Sequence, residues 1–390
     1  MKIAIVQSHS DDDLNACHGR SLCDALNELG HSSVILKTPT GSPVFDFATA
    51  LHEQKIEAAL SFGGLLGGIT FGDGSSIFER LGVRFIAWMF DHPLHVMRHL
   101  DVQADGRVLI LPHASHCAFS DRFGLKGTRR IMLSGVDPLP SSTRRFQERD
   151  IPLLVVARWR GEPVRVWEQL PDSPAKDLCR QAAERLIADA ELSLIDCWDA
   201  ACADLGLNAP LSDGTVEAMR EILIYVRHRD RIELLRQLTE SGHPMTIVGS
   251  GWDEHLGSNP SVTFLDNVAF ADLPEFYARA KVVFHVNSAN GGCERSLSAM
   301  MAGAAALSDF SSTYSLSGLD DRHIKFYDRT KPESVVEALE QLHVDSHAEE
   351  VADAGYRRAF SDHSWRCRAA SLVETLTDVM PTGSKNPSTR

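Results

Sequence analysis

Short apolar runs recur along the chain, separated by segments whose apolar residues repeat at helical spacing. In the first half the runs are Lys2–Gln7, Ser33–Lys37, Ala58–Phe62, Arg84–Met89, Arg107–Leu111 and Arg130–Leu133. Such runs suit parallel strands covered on both faces. Between the first two, Leu14, Ala16, Cys17, Leu22, Leu26 and Leu29 fall on a helix period, and Gly30 follows as a residue able to close a helix in the left-handed conformation. Alternating strands and helices predict an α/β domain with a doubly wound parallel sheet.

The pattern stops at "GVDPLPSSTRRFQERDIP" (Gly135–Pro152), whose prolines and polar residues read as a linker. It restarts with Leu153–Ala157, Met245–Val248, Val262–Phe264, Val282–Val286, Ala304–Leu307 and Ile324–Tyr327. The chain between Ala157 and Met245 is far longer than a crossover needs and is helical in pattern (Asp177–Leu205, Thr215–Ser241). A helical insertion over 163–238 is therefore expected. The predicted organisation is a first domain over 1–148 and a second over 149–363. A helix at 364–380 is expected to pack back on the first domain, and 381–390 to form a disordered tail. Two such sheets bind ligands where their carboxyl ends face each other across a cleft.

Composition narrows the partners. In 390 residues, Lys+Arg 39 against Asp+Glu 53 gives a net charge of −14, which repels nucleic acid and anionic lipid surfaces but leaves room for a locally basic pocket. None of the eight cysteines forms a C-x-x-C pair, so buried structural thiols are expected rather than a zinc site. The apolar run near the N-terminus is too short for a signal-peptide core, and Ile56–Gly72 carries Glu57 and several glycines. The expectation is a cytoplasmic chain with reduced thiols and no transmembrane segment.

The candidate chemistry gathers in "HVNSANGGCERSLSAMMAGAAALSD" (His285–Asp309). Gly291 and Gly292 can take positive φ and turn backbone N–H groups into a concavity. A helix starting near Glu294 favours an anion at its N-terminus, and Arg295 adds a planar guanidinium suited to phosphate. The alternative is a structural turn with a surface Glu-Arg pair.

This stretch, extended to "ARAKVVFHVNSANGGCERSLSAMMAGAAALSD", resembles the sugar-nucleotide segment of GT-B glycosyltransferases, in particular the bacterial group related to CgeB-type spore-maturation proteins. "FIAWMFDHP", "LSGVDP", "VARWRG", "TIVGSGWDE", "VTFLDNVAFADLPEFYARAK" and "YRRAFSDHSWRCRAASLVE" agree in order. The resemblance implies two Rossmann-like domains and transfer of a sugar from a nucleotide diphosphate donor, held by the C-terminal domain, to an acceptor it does not identify. It implies that Arg158 contacts the pyrophosphate, with Arg160 beside it, and that Gly249 and Gly251 bring backbone near base or phosphates. Asn287 and Asn290 either cap the loop or bond sugar hydroxyls. The related retaining enzymes carry two glutamates where this chain has Asn290 and Ser298. Ribose contact would then fall to Ser298, Glu294 or elsewhere, with Ser296 on the same helix start, and retention of configuration does not carry over.

In the first domain Asp91 and His92 are candidates for a general base and its orienting partner, against a turn capped by Asp91. In "SHSDDD" (Ser8–Asp13), His9 or one of Asp11–Asp13 offers a base, against a helix N-cap. "SFGGLLGG" (Ser61–Gly68) reads either as a cleft lining or as a loop, and His113 and His116 as core or surface histidines. A Gly loop, a helix start and arginines supply positive charge themselves, so no metal and no cofactor beyond the donor is expected. Two rival readings remain: a sugar-nucleotide epimerase on the same fold, and a non-catalytic nucleotide-sugar-binding protein.

Overall fold

The computed structural model describes residues 1–8, 13–38, 44–100, 104, 106–139, 145–208, 212–288, 291, 294–344 and 346–378. The expectations placed on His9, Asp11, Asp12, Asn290, Gly292 and the 381–390 tail lie outside the described residues.

The first half contains β1 (Lys2–Gln7), α1 (Leu14–Glu28), β2 (Ser32–Lys37), α2 (Val44–Glu53), β3 (Ala58–Phe62) and α3 (Ile77–Arg80). It continues with β4 (Arg84–Trp88), α4 (Met97–Leu100), β5 (Val108–Leu111), α5 (Ala114–Arg122) and β6 (Thr128–Ile131). The second half opens with β7 (Ile151–Val156), then α6 (Pro174–Ala188), α7 (Leu194–Asp204) and α8 (Asp213–Glu240). Next come β8 (Met245–Val248), α9 (Trp252–Leu256), β9 (Val262–Leu265), α10 (Leu273–Arg279) and β10 (Ala280–His285). It closes with α11 (Glu294–Met301), β11 (Ala305–Asp309), α12 (Ser312–Leu316), β12 (Ile324–Tyr327), α13 (Ser334–His343), α14 (His347–Asp362) and α15 (Trp365–Asp378).

Among the described residues every strand pairing is parallel, in two six-stranded sheets ordered β2-β1-β3-β4-β5-β6 and β12-β11-β10-β7-β8-β9. The strands are buried on both faces (Ile3, Ala4, Ile5 and Val6; Val282, Val283 and Phe284), as continuous apolar runs require. The strand order reverses between β1 and β3 in one sheet and between β7 and β10 in the other. At each reversal the flanking loops diverge and leave a crevice beyond the carboxyl ends of the strands.

The insertion is α6, α7 and α8. Its core joins Leu178, Ala182, Leu194, Trp198, Met219 and Ile222 to Leu94 and Phe119 of the first half. Further along α8, Ile232, Leu234, Leu235 and Leu238 enter the core of the second sheet. One helix thus leans on both halves. Fully buried Asp230 of α8 meets the buried Arg329 guanidinium at 3.1 Å, and that guanidinium also donates to the carbonyls of Leu186 and Asp189. At the C-terminus, Trp365, Ala369, Leu372 and Leu376 of α15 pack with Ile3, Ile5 and Leu22 of the first half, and Arg84 donates to Leu376 O.

Among the described residues no helix is long and apolar enough to cross a membrane, and the seven described cysteines form no disulfide.

Candidate active site

A cavity of about 550 Å³ opens where the two crevices face each other. One bank consists of strand ends and loops of the second sheet. His285 ends β10 and its carbonyl accepts from Tyr327 Oη at 2.7 Å. Beyond it the buried Asp309 carboxylate accepts from the backbone N–H groups of Asn287 (2.8 Å) and Ser288 (2.9 Å), so an acid at the end of β11 holds the loop after β10. The left-handed residue of the described loop is Ser288, with φ 44°, whereas Gly291 has no positive φ. Positive φ as the reason for Gly291 is therefore corrected. A Cβ there would come within 3.7 Å of His116 and 3.8 Å of Pro112, so the residue sits against the first half of the chain.

Glu294 and Arg295 open α11 and both line the cavity. Arg295 Nε lies 3.4 Å from Glu294 Oε1, and its Nη1 donates to Val156 O at 3.3 Å, which ties the guanidinium to the end of β7. Arg158, Arg160, Gly249 and Asn287 line the same space. Gly249 has φ 140°, and a Cβ there would stand 2.1 Å from Ala157 O; only glycine allows β7 and β8 to end so close together.

Three residues expected to contact the donor lie off this cavity. Gly251, φ 90°, starts α9 against Trp159 and does not line the cavity. Ser296 is buried and its Oγ accepts from Tyr314 Oη at 3.1 Å, on the side of α11 that packs inward. Ser298 also lies off the cavity, because a helix start can present only part of its circumference to a ligand.

The opposite bank starts with Phe90 and Asp91 after β4. Asp91 is 64% exposed and lies 3.3 Å from Arg227 of α8. Desolvation raises its pKa, but Arg227, His95 and Arg295 together outweigh that and hold the carboxyl below the ordinary aspartate value. The expected partner His92 does not line the cavity. Its Nδ1 accepts from Leu94 N–H to cap the 3-10 turn Pro93–Val96, and the ring is buried against His116 and Phe119. The imidazole at the cavity wall is that of His95, one turn on. His95 is held below its usual pKa by desolvation and by Arg227, with Asp91 opposing.

From "SHSDDD", Asp13 caps α1 by accepting from Ala16 N–H at 2.8 Å. The Ser61–Gly68 loop packs against α4, with Gly67 and Gly68 under the carbonyls of His99 and Arg98, and takes no part in the cavity. His113 and His116 are buried. His113 Nε2 lies 2.9 Å from Ser312 Oγ, a polar contact between the two halves.

The roof is α8, which presents Ile224, Arg227, His228 and Arg231. They stand at i, i+3, i+4 and i+7, one stripe of a helix. That periodicity was present in "ILIYVRHRDRI", but in a helix buried on its other faces nothing local marks the stripe that will face a ligand. His228 is lowered to about 4 by desolvation and the charges of Arg231, Arg160 and Arg227, and burial with Arg295, Arg231 and Arg227 pushes His285 well down. Among the described residues the cavity therefore holds five arginines, two carboxylates and neutral imidazoles inside an acidic protein. His95 Nε2 and Asn287 Nδ2 at its wall have no hydrogen-bond partner among the described residues, as expected of groups that a ligand satisfies. Among the described residues no cluster of three His, Cys, Asp or Glu side chains could hold a metal ion.

Residues 227–374 match the glycosyl transferase-like family. No curated protein sequence matches the chain. Sucrose-phosphate synthase from Thermosynechococcus elongatus superposes with a TM-score of 0.55 at 12% identity, covering 97% of this chain and 98% of the other. Alr3699/HepE from Anabaena, in complex with UDP and glucose, gives 0.54 at 12% identity, covering 97% and 100%. An α-glucosyltransferase in complex with UDP-glucose and DNA containing an abasic site gives 0.56 at 11% identity, covering 97% and 99%. With two facing parallel sheets and a glycosyl transferase-like segment that starts in α8 and runs through α15, the chain has the GT-B fold.

Proposed function

We propose that the protein is a glycosyltransferase that takes its sugar from a nucleoside diphosphate donor bound on the second-sheet bank, with UDP-sugars the first to test because similar folds hold UDP and UDP-glucose. The observation that carries this is the convergence of Arg295, Arg158 and the start of α11 at the crevice between β7 and β10. As the bond between the anomeric carbon and the diphosphate oxygen breaks, negative charge grows on the leaving group. Fixed guanidinium groups and helix N–H dipoles stabilise that charge more than they stabilise the neutral-bond ground state. The acceptor hydroxyl attacks the anomeric carbon from the side of the first half, and its proton passes to Asp91, which the surrounding cations keep ionised. His95 takes the place in this arrangement that the sequence assigned to His92. Positive charge supplied by the protein makes a divalent cation unnecessary, so we extend the proposal to metal-independent transfer. The CgeB-like subgroup rests on the motif resemblance alone.

The test is calorimetry with UDP, GDP and dTDP, followed by sugar transfer in EDTA and after adding Mg²⁺ or Mn²⁺. Binding of one diphosphate and undiminished transfer in chelator are expected. Activity lost in EDTA and restored by metal would refute the metal-independent part. Conversion of donor alone to an isomer would establish an epimerase instead.

A further inference from the structure

The cavity has two basic banks, and the donor accounts for one. Arg158 and Arg295 belong to the strand ends of the second sheet. Arg227 and Arg231 project from α8, the last helix of the insertion, and Arg160 lies close enough for its charge to reach His228 between them. The α8 stripe is half-buried, while Leu223 and Val226 beside it and Asp230 behind it are fully buried. Guanidinium groups held half-buried on a rigid helix are strong sites for an anion, because less hydration and less side-chain entropy remain to be lost on binding than at an exposed arginine.

The position of this bank says which substrate it meets. Arg227 reaches Asp91 at 3.3 Å, and the core under α8 includes Leu94 and Phe119 of the first half. A group held by Arg227 therefore lies beside the carboxylate to which an acceptor hydroxyl must come. We propose that Arg227 and Arg231, with Arg160, bind an anionic group of the acceptor, so that the acceptor is a sugar or glycoside bearing a phosphate or a carboxylate. This rests on the donor reading above. The insertion is then an acceptor-specificity element: it lets one crossover between β7 and β8 reach over the cleft and select for charge.

Full-length protein saturated with UDP is titrated with glucose 6-phosphate, glucuronate and glucose. One charged probe should bind at least about tenfold more tightly than glucose, the size expected for one charged hydrogen bond. Arg227→Gln and Arg231→Gln should each remove that preference while leaving UDP affinity unchanged, and Arg231→Lys should retain part of it. Arg295→Ala should do the reverse, weakening UDP. Which charged probe wins identifies phosphate or carboxylate as the source. Equal or undetectable binding of all three probes, with UDP bound, overturns the inference and spares the donor site. Parallel loss of UDP in the two Gln variants overturns it by placing α8 on the diphosphate. Failure of the unmodified protein to bind UDP, or the other diphosphates in its place, refutes the donor reading and this inference with it.

Discussion

At the scale of the residue, charge and direction decide what each side chain can do. Arg295 is anchored by Val156 O and Glu294, so its guanidinium is aimed before a ligand arrives. Arg295→Ala should weaken nucleoside diphosphate binding by about 1.5–3 kcal/mol, the usual loss for a charged hydrogen bond, with the fold intact; calorimetry beside a circular dichroism spectrum measures both. Asp91 and His92 are neighbours with different duties. Asp91→Asn should lower transfer by roughly 10²–10⁴, the range for a lost general base, and leave UDP affinity unaltered. His92→Asn keeps an acceptor for the Leu94 N–H and should stay active, although the buried ring leaves a gap beside Phe119. Equal loss in the two variants would return His92 to the reacting centre.

At the scale of the element, α8 serves as roof, bridge and specificity surface because its faces have different partners. Its buried ion pair with Arg329 keeps it on the second sheet. Asp230→Ala would leave that guanidinium buried without its counter-charge, at a cost of about 3–5 kcal/mol. Asp230→Leu combined with Arg329→Met should cost less, since no buried charge is orphaned. Urea unfolding of the two proteins checks the order; a double variant less stable than Asp230→Ala would mean that the carbonyls of Leu186 and Asp189 need the guanidinium more than Asp230 does. The loop after β10 follows the same logic. Its conformation depends on the Asp309 carboxylate, contributed by a different strand.

At the scale of the whole molecule, the halves are joined by buried histidines. His18 packs on Phe62, Phe90 and Trp365 and reaches Phe270 of the second half, while His113 meets Ser312 across the junction. Desolvation lowers His18 and His113 to about 4 and His363 to about 3. Unfolded, each would titrate near about 6.5, so between those values the unfolded chain binds more protons than the folded one. Their contribution is complete above about pH 6.5 and is lost as pH falls toward 4, by at most about 1.4 kcal/mol per pH unit for each histidine. Asp230 and Asp309, whose carboxyls burial pushes up, act in the opposite sense. Unfolding midpoints should be lower at pH 5 than at pH 7, and the difference should shrink in His113→Asn. A variant with the full pH difference would show that His113 does not contribute.

What could be read along the chain was whatever is local. The apolar runs located all twelve strands to within about two residues, because a parallel strand needs both faces covered and so announces itself without alternation. The excess length between Ala157 and Met245 marked the insertion, and the Gly pair before Glu-Arg marked the helix start that faces the cleft. The cavity's composition was decided in three dimensions. Ser288, not Gly291, turns left-handed because an acid from β11 grips its N–H; His95 reaches the wall because His92 is consumed in capping. Arg227, His228 and Arg231 became a site only when α8 was laid over β4's end. Periodicity records which side of an element is buried, whereas a binding site is a convergence of elements distant in sequence, and no local pattern encodes the angle at which they meet.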